Sequence, residues 1–140
     1  YRDAAPNRRC LVMVNGFFEW KWDDPNKKTS EKRPHFIYMP DRKPFALGGI
    51  YNDWRGTRTM SIITTQANEL MADIHNTKKR MPLIMPEEMW DLWLNKETPR
   101  DEVEHIMLPF PEGALQVHEI SKLITDRSQD SNVRDVQEAV

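Results

Sequence analysis

Cysteine is nearly missing from this chain. Cys10 stands alone in 140 residues, so no intrachain disulfide forms and a reducing, cytoplasmic setting is expected. Long apolar runs are missing too: none reaches the ~18 residues a membrane helix needs, and no signal-peptide pattern is present. The formal net charge is only -2, so nothing draws the whole molecule to a polyanion. Any nucleic-acid contact must come from a local cluster of Lys and Arg. Glycine is sparse, with five residues against ten prolines, which predicts many short elements. No Gly-rich phosphate loop, HExxH run or Cys/His pairing occurs, and His35, His75, His105 and His118 are scattered. No metal and no cofactor are therefore expected. No internal repeat or low-complexity linker divides the sequence, and its length suits one domain. It opens on Tyr1-Arg2-Asp3 rather than methionine, which is expected of a piece of something longer.

What is present reads as strands first and helices after. Leu11–Val14 and Phe17–Trp22 are strand-like runs on either side of Asn15-Gly16, a pair that predicts a hairpin turn or bulge. In the second run, alternation places Phe17, Glu19 and Lys21 on one side and Phe18, Trp20 and Trp22 on the other. Asp23–Arg33 reads as a solvated loop. Further strands are expected at Pro34–Met39, Phe45–Tyr51 and Arg58–Thr65, and Gly48-Gly49 predicts a bulge or a close backbone approach. Ala67–Ile74 carries a helical stripe of Leu70, Met71 and Ile74. Pro82 forbids a helix over the next segment. Pro86–Asn95 and a segment whose Thr98-Pro99-Arg100-Asp101 resembles a capped helix start complete the helices. Leu115–Ile120 alternates as a last strand, 121–130 reads as loop, and Asn132–Val140 as a short, poorly anchored helix. The expected fold is α+β: one curled, mainly antiparallel sheet flanked by short helices.

Two residues stand out chemically. Glu19 is a carboxylate set among large aromatics, although residue type alone favours a surface Glu paired with Lys21. His75 follows a helix end and precedes Lys78-Lys79-Arg80, which brings an imidazole and three cations together. That reading stands beside a plainer one, a histidine on the helix dipole followed by a solvated basic loop.

The motifs GFFEW (Gly16 to Trp20) and IH…RMPLIM (Ile74 to Met85), in this order and separation, resemble the SOS-response-associated peptidase (SRAP) family. The likeness runs from Arg8-Arg9-Cys10-Leu11 through SIITTQAN and the Trp-rich helix to about Ile120. Asn76 to Lys79 is longer than the single residue often found between His and Arg-Met-Pro. The resemblance implies an enzyme, classed as peptidase, hydrolase or lyase, that processes abasic sites in single-stranded DNA. It carries the active-site glutamate onto Glu19, the active-site histidine onto His75 and a DNA-contacting arginine onto Arg80, with Lys78 and Lys79 in the same basic patch. In such proteins the α-amine and thiol of an N-terminal cysteine close a thiazolidine on the opened deoxyribose. That cysteine is expected before Tyr1. Cys10 has no free α-amine and reads as a small buried hydrophobe. Residues 1–140 are thus expected to be the larger, C-terminal part of the domain, with 121–140 as a terminal segment. Two other classes remain open: a non-catalytic single-stranded nucleic-acid binder using Lys78–Arg80, and an acid–base hydrolase using Glu19 and His75.

Overall fold

A computed structural model describes residues 5–140. The opening Tyr1-Arg2-Asp3, on which the expectation of a longer protein rests, lies outside the described residues. The strands are β1 (Arg9–Val14), β2 (Phe17–Trp22), β3 (Lys32–Tyr38), β4 (Phe45–Trp54), β5 (Thr57–Ile62), β6 (Thr64–Gln66), β7 (Arg80–Pro82), β8 (Ile84–Met85) and β9 (Gln116–Glu119). The α-helices are α1 (Glu69–Ile74), α2 (Trp90–Leu94) and α3 (Arg100–His105), with 3₁₀ turns at Glu87–Met89, Lys122–Thr125 and Arg134–Gln137.

Mainly antiparallel sheets and a few short helices are found, as expected, but the single curled sheet is not. The strands divide into open sheets β1-β4-β5 (with β8 also on β4), β2-β3-β9, and the pair β6-β7. The division begins at Asn15-Gly16. It is no hairpin, because β1 pairs with β4 while β2 pairs with β3. The reason Gly stands there is space rather than turn geometry: a Cβ on Gly16 would lie 2.3 Å from the Phe36 ring and 2.7 Å from the Ile37 carbonyl oxygen. The true hairpin is β4–β5, where Arg55 and Gly56 both take positive φ (48° and 80°), as a two-residue turn matched to strand twist requires.

A second crossing occurs at Ile63. Its N–H donates to the Gly48 carbonyl (3.0 Å) and its carbonyl accepts from Leu83 (2.8 Å), which separates β5 from β6. Gly48 in turn donates to Leu83 (2.8 Å), so the expected close backbone approach is found. Pro82 ends β7, whose one partner among the described strands is β6.

The core forms three groups. Trp93, Leu83, Met85, Ile50, Ile63 and Val103 pack α2 and α3 on the first sheet. Ile37, Phe45, Leu47, Met71, Met81, Ile84 and Leu115 join both larger sheets through α1. Phe36, Tyr38 and Ile120 fill the far face of the second sheet. Burial of Met71 (0% exposed) and Ile74 (4%) fixes the orientation of α1, as its stripe predicted. Two expectations fail. Thr98 does not cap α3 but donates its hydroxyl to the Leu92 carbonyl (2.8 Å), and α3 starts from Pro99. The terminal segment is anchored rather than loose, because Val136 is buried and Ala139 bridges Ile120.

Candidate active site

The site is built on one free edge of β2. β2 is the outer strand of the β2-β3-β9 sheet, so the N–H and C=O groups of alternate residues point away from β3 and require partners. Trp20 and Trp22 supply these groups. The Trp20 N–H donates to Glu19 Oε1 at 3.0 Å. The Trp22 N–H donates to Asn76 Oδ1 at 3.1 Å, and the Trp22 carbonyl accepts from Asn76 Nδ2 at 2.7 Å. No strand partner on this edge appears among the described residues. The end of α1 and the turn after it lie beside it instead.

The side-chain alternation read from β2 has a definite meaning here. Paired residues in an antiparallel ladder share a face, so Phe17, Glu19 and Lys21 look the same way as Ile37, His35 and Arg33. This is the face that α1 covers: Phe17 and Ile37 pack with Met71, and Lys21 Nζ binds Asp73 at 2.6 Å. The plain pairing of Glu19 with Lys21 is therefore not formed. Glu19 Oε2 instead lies 3.7 Å from Nδ1 of His75.

His75 is placed by local chain geometry. Asn68 starts α1 by accepting from the Met71 N–H through its side chain (2.9 Å), and His75 closes the helix with its N–H on the Met71 carbonyl (2.7 Å). Lys79 takes a left-handed φ of 50° and donates to the His75 carbonyl (2.9 Å). That turn brings the Arg80 carbonyl to 2.9 Å from His75 Nδ1. A carbonyl oxygen can only accept, so Nδ1 carries the hydrogen and Nε2 is the ring nitrogen left to exchange a proton. The two side chains are 20% (His75) and 23% (Glu19) exposed, enough for a reacting group to reach them. Such a pair can move protons to and from a bound reactant.

Lys78, Lys79 and Arg80 are exposed directly after this pair, and none of them makes an ion pair with another described residue. They give the mouth of the site positive charge in a chain that is slightly acidic overall. The other histidines have different surroundings. His35, opposite Glu19 in the ladder, is buried and donates Nδ1 to the Arg33 carbonyl (2.9 Å). His105 sits on α3, bonded to the Asp101 carbonyl. His118 faces away from α1 among Phe36 and Tyr38. Cys10 lies in β1, in the other sheet, half-buried, and burial pushes its thiol pKa up, away from a nucleophilic thiolate. Among the described residues no group of three His, Cys, Asp or Glu is arranged to hold a metal.

Sequence reasoning missed Asn76. An Asn just past a helix end is ordinary, and its side chain acts on a strand 54 residues earlier, which no local pattern signals.

The chain matches the family model described as SOS response associated peptidase (SRAP) over residues 1–127. It is 32% identical over 137 residues to the abasic site processing protein YoqW of Bacillus subtilis (strain 168), covering 94% of this chain and 58% of that protein. It is 29% identical over 122 residues to the abasic site processing protein YMR114C of Saccharomyces cerevisiae, covering 81% of this chain and 31% of that one. A crystal structure of a protein from Bacteroides thetaiotaomicron superposes with a TM-score of 0.87 at 30% identity, covering all of this chain and 60% of that one. The chain thus spans less than two thirds of the length of these relatives. With a family match over most of its residues, the chain belongs to the SOS response associated peptidase family.

Proposed function

We propose that this chain supplies the acid–base and DNA-contacting part of a site that captures abasic positions in single-stranded DNA. The observation that carries the reading is the approach of Glu19, from β2, to His75, from the end of α1. The relatives' description as abasic site processing proteins supports the substrate class.

The nucleophile is assigned to an N-terminal cysteine outside these 140 residues. Its α-amine, with an ordinary pKa near ~8, is partly unprotonated at neutral pH. The amine adds to the aldehyde carbon of the opened deoxyribose, and the carbinolamine loses its hydroxyl as water to give an imine. The thiol sulfur then adds to the imine carbon, the imine nitrogen takes up a proton, and a thiazolidine ring closes. Glu19 takes the proton from the adding amine, and His75 Nε2, which first picks up a proton from solvent on its lone pair, passes it to the hydroxyl so that this leaves as water. Lys78, Lys79 and Arg80 meet the backbone phosphates of the strand.

The test compares an abasic oligonucleotide with an intact one of the same sequence, using the protein with its natural N-terminus. A heat-stable shifted band with the abasic strand only is expected. Equal, reversible and salt-sensitive binding of both strands would instead mark a non-covalent single-strand binder and end the proposal.

A further inference from the structure

We propose that Asn76 is a positioning residue whose carboxamide holds the His75 imidazole against the Glu19 carboxylate. The inference rests on the roles given to His75 and Glu19 above. A carboxamide carries the donor and the acceptor of a peptide group, and Asn76 presents both to one residue of β2. It accepts from the Trp22 N–H (3.1 Å) and donates to the Trp22 carbonyl (2.7 Å), as a neighbouring strand would. Glu19 is anchored on the same edge, two positions before, by the Trp20 N–H (3.0 Å). The carboxylate and the residue after the imidazole are therefore both registered to one backbone segment.

The other bonds that shape the turn do not tie it to β2. Lys79 N–H to the His75 carbonyl and His75 Nδ1 to the Arg80 carbonyl both close within residues 75–80. Lys21–Asp73 does cross from β2 to α1, but Asp73 is 64% exposed, and such a pair sets position weakly. Asn76→Asp would keep the acceptor, lose the donor and place a negative charge beside the Trp22 carbonyl. Asn76→Ala would lose both bonds.

The experiment uses the protein with its natural N-terminus and three readouts: crosslinking rate at saturating abasic strand, affinity for the intact strand, and the ¹⁵N signals of the His75 ring. Asn76→Ala should slow crosslinking by about tenfold or more, since small misplacements of reacting groups are costly. Intact-strand affinity should stay within about twofold, as no phosphate contact is removed. The ¹⁵N signals of the His75 ring should move as the Glu19 carboxylate is displaced from it, while the Nδ1–H tautomer that the Arg80 carbonyl fixes within the turn is kept. Asn76→Asp should fall between Asn76→Ala and the natural protein, and it carries the test if Asn76→Ala fails to fold. Lys21→Met, which breaks the exposed bridge only, should leave rate and ring signals unchanged. A natural rate with natural ring signals in Asn76→Asp and Asn76→Ala would overturn the role, as would a slowed rate with an unaltered ring. If His75→Ala and Glu19→Gln both crosslink normally, the functional reading has failed instead, and the ring signals still decide whether Asn76 positions His75.

Discussion

Two histidines on opposite sides of the β2-β3-β9 sheet show what separates a structural imidazole from one that can react. His118, on the far side, has both nitrogens engaged: Nε2 with the Gln137 carbonyl at 2.8 Å and Nδ1 with the Tyr38 hydroxyl at 3.4 Å. Its ring is packed against Phe36 and Tyr38, with centroids 5.9 and 5.2 Å away. His75, on the α1 side, has Nδ1 held by the Arg80 carbonyl, with the Glu19 carboxylate 3.7 Å from that same nitrogen, and Nε2 left for a reactant. A saturated ring adds to stability. A half-saturated ring keeps a lone pair for chemistry, at no gain to the fold.

The contrast breaks most easily at the two histidines themselves. In the protein with its natural N-terminus, His75→Ala should slow abasic crosslinking by about 10²-fold or more while changing unfolding free energy by less than about 1 kcal/mol. His118→Ala should show the reverse, a natural rate with about 1–2 kcal/mol of lost stability in urea unfolding. If the two variants behave alike, the distinction drawn from their hydrogen bonds is wrong. Glu19→Gln keeps shape and removes charge, and a loss of about tenfold in rate with unchanged far-UV circular dichroism is expected.

A smaller effect sharpens the reactive side. Arg80→Ala should weaken binding to intact and abasic strands alike and reduce the slope of log affinity against log salt by about one phosphate contact. An unchanged slope would leave Arg80 the task of presenting its carbonyl to His75. The smallest effect concerns Cys10, outside both regions. Burial raises its thiol pKa, so the folded chain keeps that proton to higher pH than the unfolded chain. The associated stability is complete below the unfolded thiol value near ~8.5 and is lost as pH rises through the folded value. Iodoacetamide at pH 8 should therefore alkylate the native chain more slowly than the urea-unfolded one, and equal rates would contradict this.

The local patterns carried much of this into view, and long-range pairing carried the rest. Period-two alternation in Phe17–Trp22 correctly separates the Glu19 side from the Trp20 side, because that period is a backbone property. The Leu70, Met71 and Ile74 stripe orients α1 for the same kind of reason. Alternation does not say which element covers a face, and the meeting of Glu19 with His75 was legible only through the order of the GFFEW and RMP motifs. Asn15-Gly16 misled because glycine serves two needs with one residue type. Positive φ suggests a turn, whereas here the missing Cβ admits the Phe36 ring and the chain changes sheets. Val136 was hidden similarly: Val133, Val136 and Val140 fall at helical spacing, yet of the three only Val136 is buried and anchors the end of the chain.

The central claim is that Glu19 and His75 act as one unit, and a double-substitution cycle on the crosslinking rate tests it most directly. If they do, the Glu19→Gln, His75→Ala protein will be about as slow as His75→Ala alone, because the carboxylate contributes only beside an intact imidazole. Rate losses that multiply independently would show two groups working apart, and the 3.7 Å approach would then have no chemical meaning.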